Sequence, residues 1–193
     1  KRDPKRFPVA CGIVEPLHGA RSIGELERMK HDLGLNGVVW HSRFQGVAVD
    51  HALMRPLLKK VRELGLVPLI HTNAESNLEA VWRLERLALE FPELTFVSMD
   101  ALTTNTNSQL ALDIAKRTEN ILFDTAHVRS PAYVRQFVEA VGSHRLIFGS
   151  LFYSYPASYE HCATLDEIKA AKIGDADKAN ILALNAKSLF NFS

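Results

Sequence analysis

The sequence predicts an α/β protein in which short parallel strands alternate with amphipathic helices. Six short apolar runs recur along the 193 residues, and an amphipathic segment follows each of them. The runs lack strict alternation of polar and apolar residues, which is typical of strands buried on both faces of a parallel sheet. Regular alternation of strand and helix also favours parallel pairing with right-handed crossovers.

Six segments supply the predicted strands. They cover residues 7–15, 37–41, 66–71, 94–100, 120–125 and 145–150. Each is rich in apolar and β-branched residues, as in GVVWH and LVPLIH. The chain has no low-complexity tract and no linker rich in proline, glycine or serine, so we expect residues 1–193 to belong to one domain.

Helix signals occupy the segments between these strands. Pro56 fits the first turn of a helix, because inside a helix its ring would clash with the preceding turn. The apolar stripe that follows it is Leu57, Leu58, Val61 and Leu64. Ser130 predicts another helix start, since it can cap the helix while Pro131 takes the first helical position.

The segment SNLE at 76–79 predicts a third helix start. In this capping box, Ser76 caps the helix and Glu79 reaches back to the start of the helix. The expected apolar face of this helix is Leu78, Val81, Trp82 and Leu89. Two more helices are expected near the end of the sequence, at roughly 157–172 and 175–190.

Two arrangements of parallel strands fit this alternation, an open doubly wound sheet and a closed (β/α)8 barrel. The open nucleotide-binding form normally carries a glycine-rich loop after its first strand. Here that loop reads EPLHGARS, with a single glycine, and neither phosphate-binding glycine motif occurs in the chain. We therefore expect the (β/α)8 TIM-barrel type, in which active groups lie at the C-terminal ends of the strands.

Polar side chains stand where the predicted strands end. They are Glu15, His41, His71, Asp100, Asp124 and Ser150. Five of the six can titrate or bind a metal, and a barrel brings them to one mouth. Trp40 alternates with His41, so we expect it to face the helix layer while His41 points toward the barrel axis. Polar residues are also common in solvated loops, which gives each one a structural interpretation as well.

Composition narrows the classes of partner. The formal net charge is +1, which gives no reason to expect nucleic acid or an anionic membrane. No apolar run approaches the ~20 residues that a membrane span needs. Two cysteines, Cys11 and Cys162, are too few for a disulfide framework, and we expect a cytoplasmic protein.

Seven segments in order resemble one known family. They are PKRFPVACGIVEP, GLNGVVWHSRFQG, ELGLVPLIHTN, FPELTFVSMDAL, NILFDTA, HRLIFGSLFYSYP and KANILALNAKSLF. Their order and spacing are similar to those of the amidohydrolase-related (amidohydrolase-2) family of metal-dependent hydrolases and decarboxylases. The resemblance covers nearly the whole chain and implies a (β/α)8 barrel. It also implies a divalent metal, usually zinc, whose water attacks a lactone or amide or assists decarboxylation.

The resemblance implies a set of metal ligands that this sequence carries only in part. The family uses an H-x-H on the first strand, single histidines on the fifth and sixth, and an aspartate on the eighth. His71 matches the fifth-strand histidine, whereas Asp100 replaces the sixth-strand histidine and Leu151 replaces the aspartate. No H-x-H occurs in the sequence. We therefore expect no metal in this chain; a rearranged site for a divalent metal such as zinc would use His71, Asp100 and His41.

The matched segments correspond to strands three to eight of the family barrel, or roughly six βα units. Six strands do not make the eight-stranded closure of this fold. We expect a longer protein with about 60 further residues upstream, which is two βα units of about 30 residues each.

The candidate site residues fall into two groups. His71 and Asp100 are the candidates for catalysis. The candidates for substrate binding are His41, Arg43, Asp124 and His127. The guanidinium of Arg43 suits a substrate carboxylate, although a salt bridge across loops is the alternative. Asp124 has a structural alternative, in which it accepts backbone N–H groups, and His127 has one as a surface-loop histidine.

Two functions from different classes remain open. The first is hydrolysis or decarboxylation of a small carboxylated or cyclic substrate at the barrel mouth, which the family resemblance favours. The second is a metal-free relative that binds a small ligand or a partner protein without catalysis, which Leu151 and Asp100 favour. Assembly of a homo-oligomer through the barrel helices is a third, structural role. A fold alone does not establish a reaction, so the site has to decide whether the protein is an enzyme.

Overall fold

A single parallel sheet organises the computed structural model, which describes residue 3 and residues 5–73, 75–128, 130–150 and 162–192. Its strands are β1 (Cys11–Ile13), β2 (Gly37–Trp40), β3 (Val67–His71), β4 (Phe96–Met99), β5 (Ile121–Asp124) and β6 (Leu146–Ile147). They lie in chain order, and each pairs in parallel with the next. All six predicted strands are therefore confirmed, each shorter than its apolar run, and β1 and β6 have only three and two residues.

Helices connect these strands and extend beyond the last one. They are α1 (Ala20–His31), α2 (Ser42–Gln45), α3 (Met54–Leu64), α4 (Val81–Glu90), α5 (Asn105–Ala115), α6 (Pro131–Val141), α7 (Ala163–Ala170), α8 (Asp175–Ala179) and α9 (Asn185–Phe190). A π-helical segment, Asn180–Leu184, joins α8 to α9, so the helix predicted at 175–190 is confirmed with a π turn inside it. The predicted start of the preceding helix, at 157, lies outside the described residues.

The helix starts that depend on local chemistry are confirmed. Pro56 lies in the first turn of α3, whose buried residues include Leu57, Leu58 and Val61. Pro131 is the first residue of α6, and the Ser130 hydroxyl accepts the backbone N–H of Ala132 at 3.3 Å. Each signal acts within one turn of the chain, which is why the sequence alone is sufficient to predict it.

The apolar face predicted for α4 is wrong at two positions. Trp82 is 39% exposed and Leu89 is 65% exposed. Val81 is buried as predicted, and the other buried residues of α4 are Leu84, Leu87 and Ala88. A short 3₁₀ turn at Asn77–Glu79 comes first, and the extended backbone of Ala80 separates it from α4. The helix therefore begins only at Val81. A 3₁₀ turn has three residues per turn and an α-helix has 3.6, so apolar positions counted from Leu78 at the helical period do not give the buried face of α4.

The hydrophobic core lies between the sheet and the helices around it. Trp40, Phe96 and Phe123 are among the largest fully buried side chains of the strands, and they share one cluster with helix residues such as Leu26 and Leu84. Burying each such side chain stabilises the fold by about 1.5–3 kcal/mol. The burial of Trp40 confirms that it faces the helix layer. None of the described helices is long and apolar enough to cross a membrane.

Candidate active site

Two stacked histidines lie at the C-terminal ends of neighbouring strands. His71 is the last residue of β3, and His41 directly follows β2. Their rings are 3.8 Å apart between centroids and inclined by 13°. Because adjacent parallel strands are about 4.8 Å apart, two side chains at matching strand ends can come into ring contact. Each ring is held from its Nδ1 side by a different carboxylate.

The first pair joins His71 to Asp100. His71 Nδ1 lies 2.7 Å from Asp100 Oδ2, and the two residues are 5% and 4% exposed. Burial acts to raise the pKa of Asp100, but the hydrogen bond from His71 and the charges of the nearby histidines outweigh it, so the pKa is lowered. Asp100 is therefore an ionised acceptor, and His71 donates its Nδ1 proton. This orientation leaves Nε2 of His71 for chemistry.

The second pair joins His41 to Glu79, a residue that the sequence does not identify as part of the site. His41 Nδ1 lies 2.6 Å from Glu79 Oε1, which also accepts the backbone N–H of Arg43 at 3.0 Å. Burial lowers the pKa of His41, and the charge of His71 lowers it further, while Glu79 acts in the opposite direction. The lowered pKa favours a neutral His41 ring.

The capping box predicted at 76–79 is half correct. The Ser76 hydroxyl accepts the N–H of Leu78 at 3.3 Å, so Ser76 caps the 3₁₀ turn as expected. The Glu79 carboxylate does not reach back to Ser76 and contacts His41 and Arg43 instead. The serine–glutamate spacing alone cannot separate these two outcomes, because the competing partners lie on another loop.

Asp124, the last residue of β5, contacts the backbone of Asp100. Its Oδ1 accepts the backbone N–H of Asp100 at 2.9 Å, and the carboxyl also accepts the N–H of Ala126. Burial, and then the negative charge of Asp100, raise the pKa of Asp124 to about 8. Asp124 therefore carries a proton at neutral pH and supports the backbone of the site. Its role in substrate binding stays a prediction.

Arg43 and His127 lie at the edges of this cluster. The Arg43 guanidinium is 3.6 Å from Glu79 Oε2 and 3.8 Å from Glu75 Oε2, which is the salt bridge across loops given above as the alternative. His127 Nε2 is 3.7 Å from Asp100 Oδ1. The substrate-binding roles of both residues stay predictions. Arg43 would have to bind a substrate carboxylate while these two carboxylates remain close to it.

The remaining strand-end residues behave differently. Glu15 caps its own 3₁₀ turn and accepts the N–H of Leu17 at 3.2 Å. Ser150 is half-buried at the end of the described segment, and Leu151 lies outside the described residues. Five of the residues singled out from the sequence are thus linked directly, by hydrogen bonds, ring stacking or ionic contact: His41, His71, Asp100, Asp124 and His127.

The family model for amidohydrolases matches residues 1–192. The chain belongs to the amidohydrolase family. No curated protein matches the sequence. The match over nearly the whole chain confirms the family that the seven ordered segments indicate.

Solved structures of other amidohydrolase-fold enzymes are similar to this family member. The 5-carboxyvanillate decarboxylase of Sphingomonas paucimobilis is 20% identical, with a TM-score of 0.73 over 98% of this chain and 69% of that one. The 2,6-dihydroxybenzoate decarboxylase of Rhizobium is 18% identical, with a TM-score of 0.72 over 98% of this chain and 74% of that one. At these identities the likeness establishes the fold alone, and it confirms the TIM-barrel type.

A third neighbour, the 5-carboxyvanillate decarboxylase of Novosphingobium aromaticivorans, was solved with manganese. It is 16% identical, with a TM-score of 0.71 over 98% of this chain and 66% of that one. A divalent metal is therefore present in a structural neighbour of this family member. The donor set of the present chain has to be compared with what such a metal needs.

The described residues do not offer that donor set. Among them, no group of three or more His, Cys, Asp or Glu side chains could hold a metal ion. A catalytic zinc normally takes three protein ligands. Of the three candidate ligands, His71 and Asp100 use one atom each in their mutual hydrogen bond, and Nδ1 of His41 contacts Glu79. These residues therefore do not fit the metal by themselves, and we assign no step of a reaction to it.

Gly149 lies against the buried carboxyl of Asp124, which leads to a stability prediction. A Cβ at this position would lie 2.8 Å from Asp124 Oδ2 and 3.2 Å from Ala126 Cβ. Gly149→Ala is expected to destabilise the protein by about 1–3 kcal/mol, measured by urea unfolding, because the packed neighbours have to move.

Gly24→Ala is the matched control, because a Cβ there meets nothing within 4 Å. It lies in α1, where alanine is expected to stabilise by about 0.5–1 kcal/mol. Equal stabilities of the two variants would contradict the packing argument.

Proposed function

We propose that this family member takes a small carboxylated or cyclic substrate at the C-terminal ends of its strands and hydrolyses or decarboxylates it by acid–base catalysis. One observation carries the proposal: the buried His71–Asp100 pair stacks directly on a second histidine–carboxylate pair. Two oriented histidines in contact offer one group to give a proton and one to take it.

The chemistry required by this proposal balances with these groups and water. In hydrolysis, one histidine takes a proton from water as the water attacks the carbonyl carbon, and the protonated histidine then gives a proton to the leaving group. In decarboxylation, the bond from carbon to carboxylate breaks, carbon dioxide leaves, and a protonated histidine gives its proton to the carbon that remains. The histidine then regains a proton from solvent. Both routes use Nε2 of His41 or His71, since their Nδ1 atoms are bound to carboxylates.

The names of the neighbours support the substrate class. The enzymes from Sphingomonas and Rhizobium are decarboxylases of carboxyvanillate and dihydroxybenzoate, which are both small aromatic acids. Arg43, beside Glu79, and His127, beside Asp100, are the candidates for holding such a carboxylate. Their partial exposure leaves them within reach of a small molecule in solvent.

The proposal is tested by turnover without added metal. The purified protein is incubated with a panel of hydroxybenzoates, lactones and small amides, with chelator, zinc or manganese in parallel samples. Products and carbon dioxide are followed by liquid chromatography and gas detection. We expect turnover of at least one carboxylated or cyclic compound in chelator. Turnover that appears only with metal, with near-stoichiometric metal that is lost in His71→Ala, would contradict the metal-free form of the proposal.

A second candidate function is that of a metal-free relative that binds a small ligand without catalysis. It is favoured by the engagement of both histidines and Arg43 with carboxylates, and by Leu151 in place of the family aspartate. Calorimetry with the same panel separates the two functions. Saturable binding of a carboxylated compound without any turnover, with or without metal, would favour the binding protein over the enzyme.

A further inference from the structure

Glu79 is a fully buried carboxylate whose partners lie on a different loop. Its side chain is 0% exposed, and it lies 38 residues from His41 in the sequence. Its Oε1 contacts His41 Nδ1 and accepts the backbone N–H of Arg43. Its Oε2 has no hydrogen-bond partner among the described residues and lies 3.6 Å from Arg43 Nε. A buried carboxylate is costly, so its contacts should explain why it is there.

The contacts of Glu79 determine which nitrogen of His41 carries the proton. A backbone N–H can only donate, so Oε1 acts as the acceptor in its contact with Arg43. With Glu79 as a carboxylate, which only accepts, the 2.6 Å contact between its Oε1 and His41 Nδ1 places the hydrogen on this nitrogen. The neutral ring is then the Nδ1–H tautomer, and its Nε2 has a free lone pair.

The backbone around His41 is held by other residues. Gln45 Oε1 accepts the N–H of His41 at 2.9 Å, and Gln45 Nε2 donates to the carbonyl of Val14 at 2.9 Å. The carbonyl of Leu78 accepts the N–H of Val49 at 3.0 Å, which ties the two loops together without the carboxylate. These bonds position the loop backbone without the Glu79 side chain. The contact that only Glu79 makes with His41 is the one to its imidazole ring.

We propose that Glu79 is a positioning residue for His41: it fixes the Nδ1–H tautomer and directs the basic Nε2 to the substrate. His41 then serves as the proton acceptor beside His71. The tautomer is a property of the protein by itself, whereas its use in catalysis rests on the proposed function. The neutral state of His41 agrees with the lowering of its pKa by burial and by His71.

The test is long-range proton–nitrogen NMR on protein labelled with ¹⁵N-histidine at neutral pH. The chain has eight histidines, so His41→Gln is used to assign the His41 signals. Wild-type His41 is expected as the Nδ1–H form. Glu79→Gln keeps an acceptor oxygen and is expected to retain that form. Glu79→Leu removes the acceptor, and His41 is expected to change to mainly the Nε2–H form that free imidazole side chains prefer.

Glu75→Gln is the matched control for the loss of charge. Glu75 is 70% exposed and lies 3.8 Å from Arg43, with no contact to His41. The control is expected to leave the tautomer unchanged. An Nε2–H form in the wild-type protein would overturn the proposal even if Glu79→Leu does not fold. An unchanged Nδ1–H form in folded Glu79→Leu would overturn it as well.

Turnover of the substrate found in the panel separates this inference from the proposed function. If both are correct, Glu79→Leu lowers kcat by about 10²-fold or more, since a correctly oriented histidine contributes about 10²–10⁴-fold, and Glu79→Gln restores most of it. A tautomer change without any loss of kcat would overturn the catalytic role of His41 and leave the positioning by Glu79 supported. A loss of kcat without a tautomer change would overturn the positioning role.

Discussion

Replacing Asp124 with asparagine is expected to remove a loss of stability that the wild-type protein shows as pH rises from about 4 to about 8. The pKa of Asp124 is raised from 3.8 to about 8 in the folded protein. Between these values the unfolded chain is ionised at this position and the folded chain holds the proton. The stabilising contribution is therefore fully present below the unfolded pKa and is lost as pH rises through the folded pKa. The slope from this one group is about 1.4 kcal/mol per pH unit.

Asparagine is a close structural match for the protonated carboxyl. Its Oδ1 can accept the backbone N–H of Asp100, which Asp124 accepts at 2.9 Å, and it does not ionise. The variant therefore keeps the shape of the site and removes only the titration. The free energy of unfolding of the variant, relative to that of the wild-type protein, should therefore rise with pH. A cost of the substitution that does not depend on pH would not change this slope.

Urea unfolding at several pH values between about 5 and 8 measures this difference. The free energy of unfolding of Asp124→Asn minus that of the wild-type protein is expected to rise by about 1.4 kcal/mol per pH unit. Asp113→Asn is a control, because Asp113 is an exposed carboxylate on α5 that contacts Lys116 at the surface. Its curve should run parallel to that of the wild-type protein. A parallel curve for Asp124→Asn would contradict a buried, protonated Asp124.

The strands and several helix starts are predictable because their causes are local. The apolar run at 66–71 contains β3, and the pair Ser130–Pro131 marks the start of α6, since each signal acts within a few residues. The convergence of His71 and Asp100 also follows from the sequence, because parallel strands end at one edge. Sequence order and strand pattern thus predict where the candidate site residues come together.

The electrostatic state of the site is not predictable in the same way. The spacing of Ser76 and Glu79 fits a capping box, yet the carboxylate binds His41, 38 residues away. The ionisation of Asp124 depends on burial and on the charge of Asp100, 24 residues away. Such contacts are set by how two loops pack, and a single sequence does not carry that information. A glutamate in a loop is ordinarily exposed, so the sequence carries no signal that Glu79 is buried against His41.

Replacing His71 with glutamine is expected to lower turnover by about 10²–10⁴-fold, which is the usual contribution of a positioned acid–base group. Glutamine can donate a hydrogen bond to Asp100 but cannot exchange a proton with a substrate. Asp100 therefore keeps a donor in place of the 2.7 Å bond from His71. The variant is measured by kcat and KM on the substrate identified from the panel, with thermal unfolding to verify that it folds.

Alanine at the same position separates catalysis from stability. His71→Ala removes the donor as well, and among the described side chains the buried Asp100 then keeps only the 3.7 Å contact with His127, a loss of up to about 3–5 kcal/mol. We expect both variants to lose the same turnover, and only alanine to lose this stability. If His71→Gln retained turnover within tenfold of the wild-type protein, His71 would not be the acid–base group.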